Sequence, residues 1–146
     1  MEGNKTVIVV SGRRALQDYE LVCKEMDKFL EQIGAEKYLI VEGGADGADR
    51  LCSDYAKERG IDTVREKAEW FDFTPPFLKR KNRYGKEYNA LAGLKRNSSM
   101  LEKADYVIAF WDGVEEKGTW DMIKKARKEA KDRNLNVSDF LKIVRF

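Results

Sequence analysis

Histidine is absent from the 146 residues, and cysteine and proline occur only twice each. Without an imidazole the chain cannot run a Ser-His or Cys-His nucleophile pair, use His as a general base, or build the common His-containing zinc sites. Chemistry therefore falls to carboxylates, Lys, Arg, Tyr, hydroxyls and backbone amides. Cys23 and Cys52 each lie within an apparent helix and read as reduced, buried thiols rather than as a disulfide framework or a metal site. No metal and no cofactor is expected. Long apolar runs are also missing: residues 7–10 and 107–111 fall far short of a membrane span, so no membrane partner is expected. Charge of one sign is scarce as well. With 28 Lys+Arg against 26 Asp+Glu the net charge is +2, too small a global field to argue for nucleic acid by itself. The first residues, Met1-Glu2-Gly3-Asn4-Lys5, lack the basic region, long apolar region and cleavage site of a leader, which predicts a cytoplasmic protein.

A hydrophobic content of 42% with 11% aromatics is too high for a disordered chain. At roughly 100 to 200 residues per domain, residues 1–146 suit a single compact domain. Residues 5–10 form a β-branched run ended by Ser11-Gly12, which reads as a strand buried on both faces. Residues 16–33 carry apolar positions at helical spacing, stopped by Gly34. Residues 38–41 predict a second strand, residues 48–59 a second helix stopped by Gly60, and residues 61–65 a third strand. The rhythm then breaks into an aromatic, proline-bearing loop at 71–77, followed by Lys79, Arg80, Lys81, Arg83 and Lys86. A helix near 97–103 leads into an apolar strand at 106–111. Gly118-Thr119 then opens a helix with Met122, Ile123, Ala126 and Ala130 on one face, and residues 140–144 supply a last strand. This alternation predicts an α/β fold, a single Rossmann-like doubly wound domain with a mainly parallel sheet of about five strands and helices on both faces.

In such sheets ligands bind beyond the carboxyl ends of the strands. Small polar residues and glycines gather there: Ser11-Gly12-Arg13 after the first strand, Gly43-Gly44-Ala45 followed by Asp49 after the second, and Gly118-Thr119 after the fourth. Three such loops on one edge form a candidate anion cradle, in which glycines admit backbone N–H groups to a phosphate and helix N-termini add donors and a favourable dipole. Arg13 and Arg96 could add charge-assisted contacts. Each piece has a plainer reading: Gly43-Gly44 as turn chemistry, Asp49 as a cap, Arg96-Asn97 as a cap ahead of a helix. Neither Gly-x-Gly-x-x-Gly nor Gly-x-x-x-x-Gly-Lys-Ser/Thr is present, which argues against an ordinary dehydrogenase or P-loop NTPase.

In combination the motifs resemble a family. Ser11-Gly12-Arg13, Gly43-Gly44-Ala45-x-Gly47-Ala48-Asp49, Ala68-x-Trp70, Ala92-Gly93-x-x-Arg96-Asn97-x-x-Met100, Ala104-Asp105-x-Val107-Ile108-Ala109-Phe110 and Gly118-Thr119-x-x-Met122-Ile123-x-x-Ala126 are similar, in order and spacing, to the YspA/YpsA-related branch of the SLOG superfamily. That resemblance implies a nucleotide-derived ligand such as NAD or an ADP-ribose derivative, and relatives that include LOG phosphoribohydrolases and DNA-binding DprA proteins. It places Gly12, Arg13, Gly43, Gly44, Gly118 and Thr119 around phosphate and ribose, has Asp49 hold the second loop, and has Arg96-Asn97 close the site. It leaves Trp70 either stacking on a base or filling the core. Such relatives are often dimers or larger, so a homo-oligomer is expected.

Two departures qualify the resemblance. LOG hydrolases carry Pro-Gly-Gly-x-Gly-Thr-x-x-Glu, whose Glu acts in N-glycosidic cleavage; the matching position here is Met122, and a thioether can neither accept a proton nor stabilise an oxocarbenium ion. Asp121 is turned about 100° away along a helix. Residues 71–83 also look inserted, and read as a lid over a bound nucleotide, an oligomer contact or a solvated basic loop. The reading that follows is binding of a phosphorylated nucleotide-derived ligand of ADP-ribose, NAD or cyclic-nucleotide type, by a sensor or a sequestering protein of the kind a phage could use against nucleotide-based immune signals. The alternative is a nucleotide-processing hydrolase or transferase using Asp49, Asp121, Glu115 or Glu116; catalytic residues are not assigned. Single-stranded nucleic acid binding through the 79–86 cluster comes last, because the net charge is small.

Overall fold

A computed structural model describes residues 4–146; Met1–Gly3, part of the stretch read as leaderless, lie outside the described residues. Five strands, β1 (Thr6–Gly12), β2 (Tyr38–Glu42), β3 (Asp62–Arg65), β6 (Tyr106–Trp111) and β7 (Leu141–Arg145), form one sheet. Its order is β3-β2-β1-β6-β7, and every pairing is parallel. Residues of alternating parity serve opposite faces. Ile8, Val10, Ile40, Ile108 and Phe110 pack with Met26, Phe29, Cys52 and Tyr55 from α1 (Tyr19–Ile33) and α2 (Ala48–Arg59). Val9, Val41, Val107 and Ala109 pack on the other side with Met100, Leu101, Met122 and Ile123 from α3 (Ala92–Lys103) and α4 (Lys117–Asp132). The doubly wound α/β sheet of five strands is thus as read from the sequence. Both cysteines are free, and burial pushes the Cys52 thiol well above its ordinary range.

Local chemistry explains where the boundaries differ from the periodic reading. α1 begins at Tyr19 rather than residue 16 because the Asp18 side chain accepts the Leu21 N–H at 3.0 Å and caps the helix, while Leu16 is buried ahead of it. The last strand starts one residue late because α5 (Val137–Phe140), a single turn capped by Asn136, intervenes. The helix expected near residue 97 begins at Ala92, so Arg96 and Asn97 sit inside it rather than ahead of it as caps. Gly93 in its first turn had weakened the helical signal there.

The segment read as an inserted loop, 71–83, carries the first strand of a second sheet, whose other strand lies just beyond it. β4 (Lys79–Lys81) and β5 (Glu87–Asn89) pair antiparallel around a turn in which the Asn82 carboxamide accepts the Tyr84 and Lys86 N–H groups and Gly85 has φ 78°. Asn89, fully buried, fastens this hairpin to the body. Its Oδ1 accepts the Leu78 and Leu91 N–H groups at 3.1 and 3.0 Å, its Nδ2 donates to the Asp72 carbonyl at 3.0 Å, and its backbone N–H donates to the Trp70 carbonyl at 2.6 Å. Replacing Asn89 by alanine leaves two N–H groups and a carbonyl unpaired, and is expected to cost about 2 kcal/mol of stability. Faster amide hydrogen exchange at Leu78 and Leu91, with exchange in β1 and β6 unchanged, is the local signature to measure.

Candidate functional site

The strand order reverses at β1 and β6, and the expected crevice lies beyond their carboxyl ends. The first loop there is shaped by packing. A Cβ on Gly12 would lie 2.1 Å from the Cβ of Ala48 and 3.3 Å from the Phe110 carbonyl oxygen, so this glycine lets the end of β1 touch the start of α2. Ser11 beside it is buried. The Arg13 Nε donates to Asp112 Oδ2 at 3.2 Å, tying the ends of β1 and β6 together; desolvation pushes the Asp112 carboxyl up, but the Val114 N–H and the Arg13 guanidinium together hold it below the usual range. Arg13 therefore enters the site with its charge already matched.

The second loop is built on buried carboxylates. Asp49 Oδ2 accepts the N–H groups of Gly43 and Ala45, both at 3.2 Å, which bends the loop back over the first turn of α2. Its Oδ1 is buried without a partner, as is the Nε of Arg96, whose Nη1 donates to the Gly43 carbonyl at 3.2 Å. A Cβ on Gly43 would come within 2.8 Å of the Arg96 guanidinium, so only glycine admits that approach. Burial raises the Asp49 carboxyl to about 7; the Glu42 charge adds to the shift, while the two loop N–H groups and Arg96 oppose it. Glu42 itself is fully buried, accepting the Gly44 N–H at 2.6 Å and Arg65 Nε at 2.7 Å. Sequence reasoning passed over Glu42 and Arg65. Their link is the parallel register that sets residue 42 beside residue 65, which only strand pairing reveals.

The third loop opens α4. Lys117 takes a left-handed φ of 64°, no side chain caps the helix, and the space before the Gly118 Cα is open. Thr119 is buried against the core. Asn97, also buried, donates to the Gly118 carbonyl at 3.0 Å and to Asp121 Oδ2 at 3.1 Å. The adjacent pair Arg96-Asn97 thus holds the second loop with one side chain and the third with the other. Trp70 does not fill the core. It is 42% exposed, edge-on to Tyr88 with ring centroids 6.3 Å apart, and its Cη2 lies 3.4 Å from where a Gly93 Cβ would stand, on the same turn of α3 as Arg96. Beside Arg96 a cavity of about 310 Å³ opens, lined by Glu66, Glu69, Asp72, Ala92 and Lys95 among others. The structure joins the predicted residues in part: Gly43, Ala45, Asp49 and Arg96 are linked at the second loop and Asn97 with Gly118 at the third, while Ser11, Gly12 and Arg13 end β1, with Arg13 tied to Asp112 after β6. Trp70 stands to one side, by the cavity.

The YspA, cpYpsA-related SLOG family matches residues 6–73. Over that stretch the chain is SLOG-like. The SLOG-like segment runs from β1 past β3 and holds the first two loops and Trp70, whereas Arg96, Asn97, Gly118 and Thr119 lie beyond it. It suggests nucleotide-related binding or processing and specifies no ligand. Among solved structures, the X-ray structure of TM1055, a Northeast Structural Genomics Consortium target, is similar over 96% of this chain and 91% of its own, with a TM-score of 0.56 and 22% identity. At that identity the likeness bears on the fold. No curated protein matches the chain. Among the described residues no helix is long and apolar enough to cross a membrane, and no cluster of acidic or cysteine side chains could hold a metal ion.

Proposed function

We propose that the carboxyl edge of β1, β2 and β6 binds a phosphorylated nucleotide-derived ligand, of ADP-ribose, NAD or cyclic-nucleotide type, and holds it without cleaving it. The observation that carries this reading is the start of α4, where a 16-residue helix begins uncapped on the left-handed Lys117, with open space before Gly118. Its free N–H groups and dipole suit a phosphate. A non-glycine residue in the left-handed region costs on the order of 1 kcal/mol, a strain that folds retain where the backbone serves a ligand. Arg96 would meet a second phosphate or the ribose from beside Gly43, and the half-exposed Trp70 with the neighbouring cavity would take the base.

Retention rather than cleavage is supported by the carboxylates. Met122, at the position of the LOG glutamate, is fully buried. Asp121 is engaged by Asn97 and, at 2.9 Å, by Lys125. A sensor or a sequestering protein, such as a phage would use against nucleotide-based immune signals, is the role consistent with such a site.

Calorimetry with ADP-ribose, NAD, cyclic ADP-ribose isomers and cyclic dinucleotides is expected to give saturable binding of at least one. Gly118→Val, which places a side chain in the open space, and Arg96→Ala should each weaken it at least tenfold. No saturable binding across the set would sink the reading. Free base or ribose phosphate appearing on chromatography would replace it with the hydrolase.

A further inference from the structure

The net charge of +2 conceals a division along the chain. Residues 1–76 carry 11 Lys+Arg against 16 Asp+Glu, a net of −5, and residues 77–146 carry 17 against 10, a net of +7. The β4–β5 hairpin concentrates that excess. It presents Lys79, Arg80, Lys81, Arg83 and Lys86, all exposed, with Glu87, just after them, as the one acid of the hairpin. Glu87 pairs with Lys79 at 3.3 Å; among the described residues Arg80, Lys81, Arg83 and Lys86 have no ion pair.

Aromatic rings stand among these cations instead of carboxylates. Phe71 is 58% exposed with the Lys86 ammonium 4.2 Å from its centroid, and Tyr84 is 79% exposed with the Arg83 guanidinium at 4.9 Å. Phe77 and Trp70 are each 42% exposed nearby in sequence. Exposed rings grouped in one patch mark a surface that binds something. The surface is also preformed. Asn89 ties the hairpin base to three backbone groups, and Lys95 Nζ donates to the Thr74 and Pro76 carbonyls at 3.1 and 3.3 Å, so its partner does not have to order it.

We infer that the β4–β5 hairpin and the aromatic segment before it bind single-stranded nucleic acid. Spaced cations contact successive phosphates, and exposed rings stack on bases, which a single strand exposes and a duplex keeps inside. This surface borders the cavity beside Arg96, which Asp72 and Asn89 also line, but the hairpin cations and Phe71 and Tyr84 are not residues of the cradle at β1, β2 and β6.

Fluorescence anisotropy with a 5′-labelled oligo-dT of about 20 nucleotides tests it. Saturable binding is expected at 50 mM salt. With about four phosphate contacts on a single strand, affinity should fall roughly fiftyfold between 50 and 200 mM. The triple variant Arg80→Glu, Lys81→Glu, Arg83→Glu should bind at least tenfold more weakly, with a shallower salt dependence. Phe71→Ala with Tyr84→Ala should bind about tenfold more weakly with the salt dependence unchanged, because stacking releases no counterions. These side chains are exposed, so far-UV circular dichroism should match the parent. The proposal is overturned by lack of saturable binding at 50 mM salt, or by the triple variant binding like the parent. It is equally overturned if heparin, an equal-length duplex or anionic vesicles are bound as tightly as the oligo-dT.

Discussion

A Gly47→Ala variant is expected to lose about 3–5 kcal/mol of unfolding free energy and to melt roughly 10 °C below the parent. Gly47 stands at the N-cap of α2 with φ 77° and ψ −126°, a conformation open to glycine and closed to residues with a Cβ. An added Cβ would also lie 2.5 Å from the Arg14 carbonyl oxygen and 2.7 Å from that of Arg13. Those are backbone atoms, and they cannot give way as a side chain would. The same residue supplies the carbonyl for the Leu51 N–H, so any shift that relieves the overlap disturbs the first turn of α2. Two other glycines calibrate the effect. Gly60 has a similar φ of 68° with nothing near its Cβ position, so Gly60→Ala should cost about 1 kcal/mol. Gly44, at φ 80°, would meet only the flexible Arg65 side chain at 2.9 Å, and should fall between the two. Urea titration of the three variants measures this order; equal losses at Gly47 and Gly60 would show that the contact with the Arg13-Arg14 backbone contributes nothing.

Asp49→Asn is expected to make the protein more stable than the parent at pH 8 and to leave it little changed near pH 4. The folded carboxyl titrates near 7, chiefly because it is buried, whereas an unfolded Asp titrates near 3.9. A carboxyl with a raised pKa contributes its retained proton to the stability of the fold below the unfolded value, and that contribution is lost as pH rises through about 7. Asparagine is neutral throughout. Its carbonyl oxygen can accept the Gly43 and Ala45 N–H groups as Asp49 Oδ2 does. The gap between variant and parent should therefore widen from pH 4 to pH 8, reaching on the order of 2–4 kcal/mol. Melting temperatures across that range check it, and a gap that does not change with pH would assign the effect to the hydrogen bonds instead of the charge.

Much of the fold is legible in local pattern. The runs at 106–111 and 38–41 are apolar on both faces because their strands are interior to a parallel sheet, and the helices carry a buried stripe at 3.6-residue spacing; both signals lie in neighbouring residues. The hairpin at 79–89 was not legible, because its strands have three residues each and no apolar alternation, and are held by one buried asparagine. Trp70 shows the same limit from the other side. A lone tryptophan suits a core or a surface equally, and its exposure here follows from a turn whose carbonyl is claimed by the Asn89 N–H.

By itself the sequence determined the α/β architecture, the glycine-bearing loops at the strand ends, and a thioether rather than a carboxylate at position 122. These depend on residue type and on spacings of a few positions. The tertiary structure alone decided which of those residues are walls and which stand open. Gly12 serves the contact between β1 and α2, Arg13 is neutralised by Asp112, and Asp49 shares its burial with Glu42 and Arg96, while the start of α4 is left uncapped. Each partner there lies between 36 and 99 positions away along the chain except Glu42, seven positions before Asp49, and pairing over such distances is set by sheet register and helix docking, which no local pattern encodes.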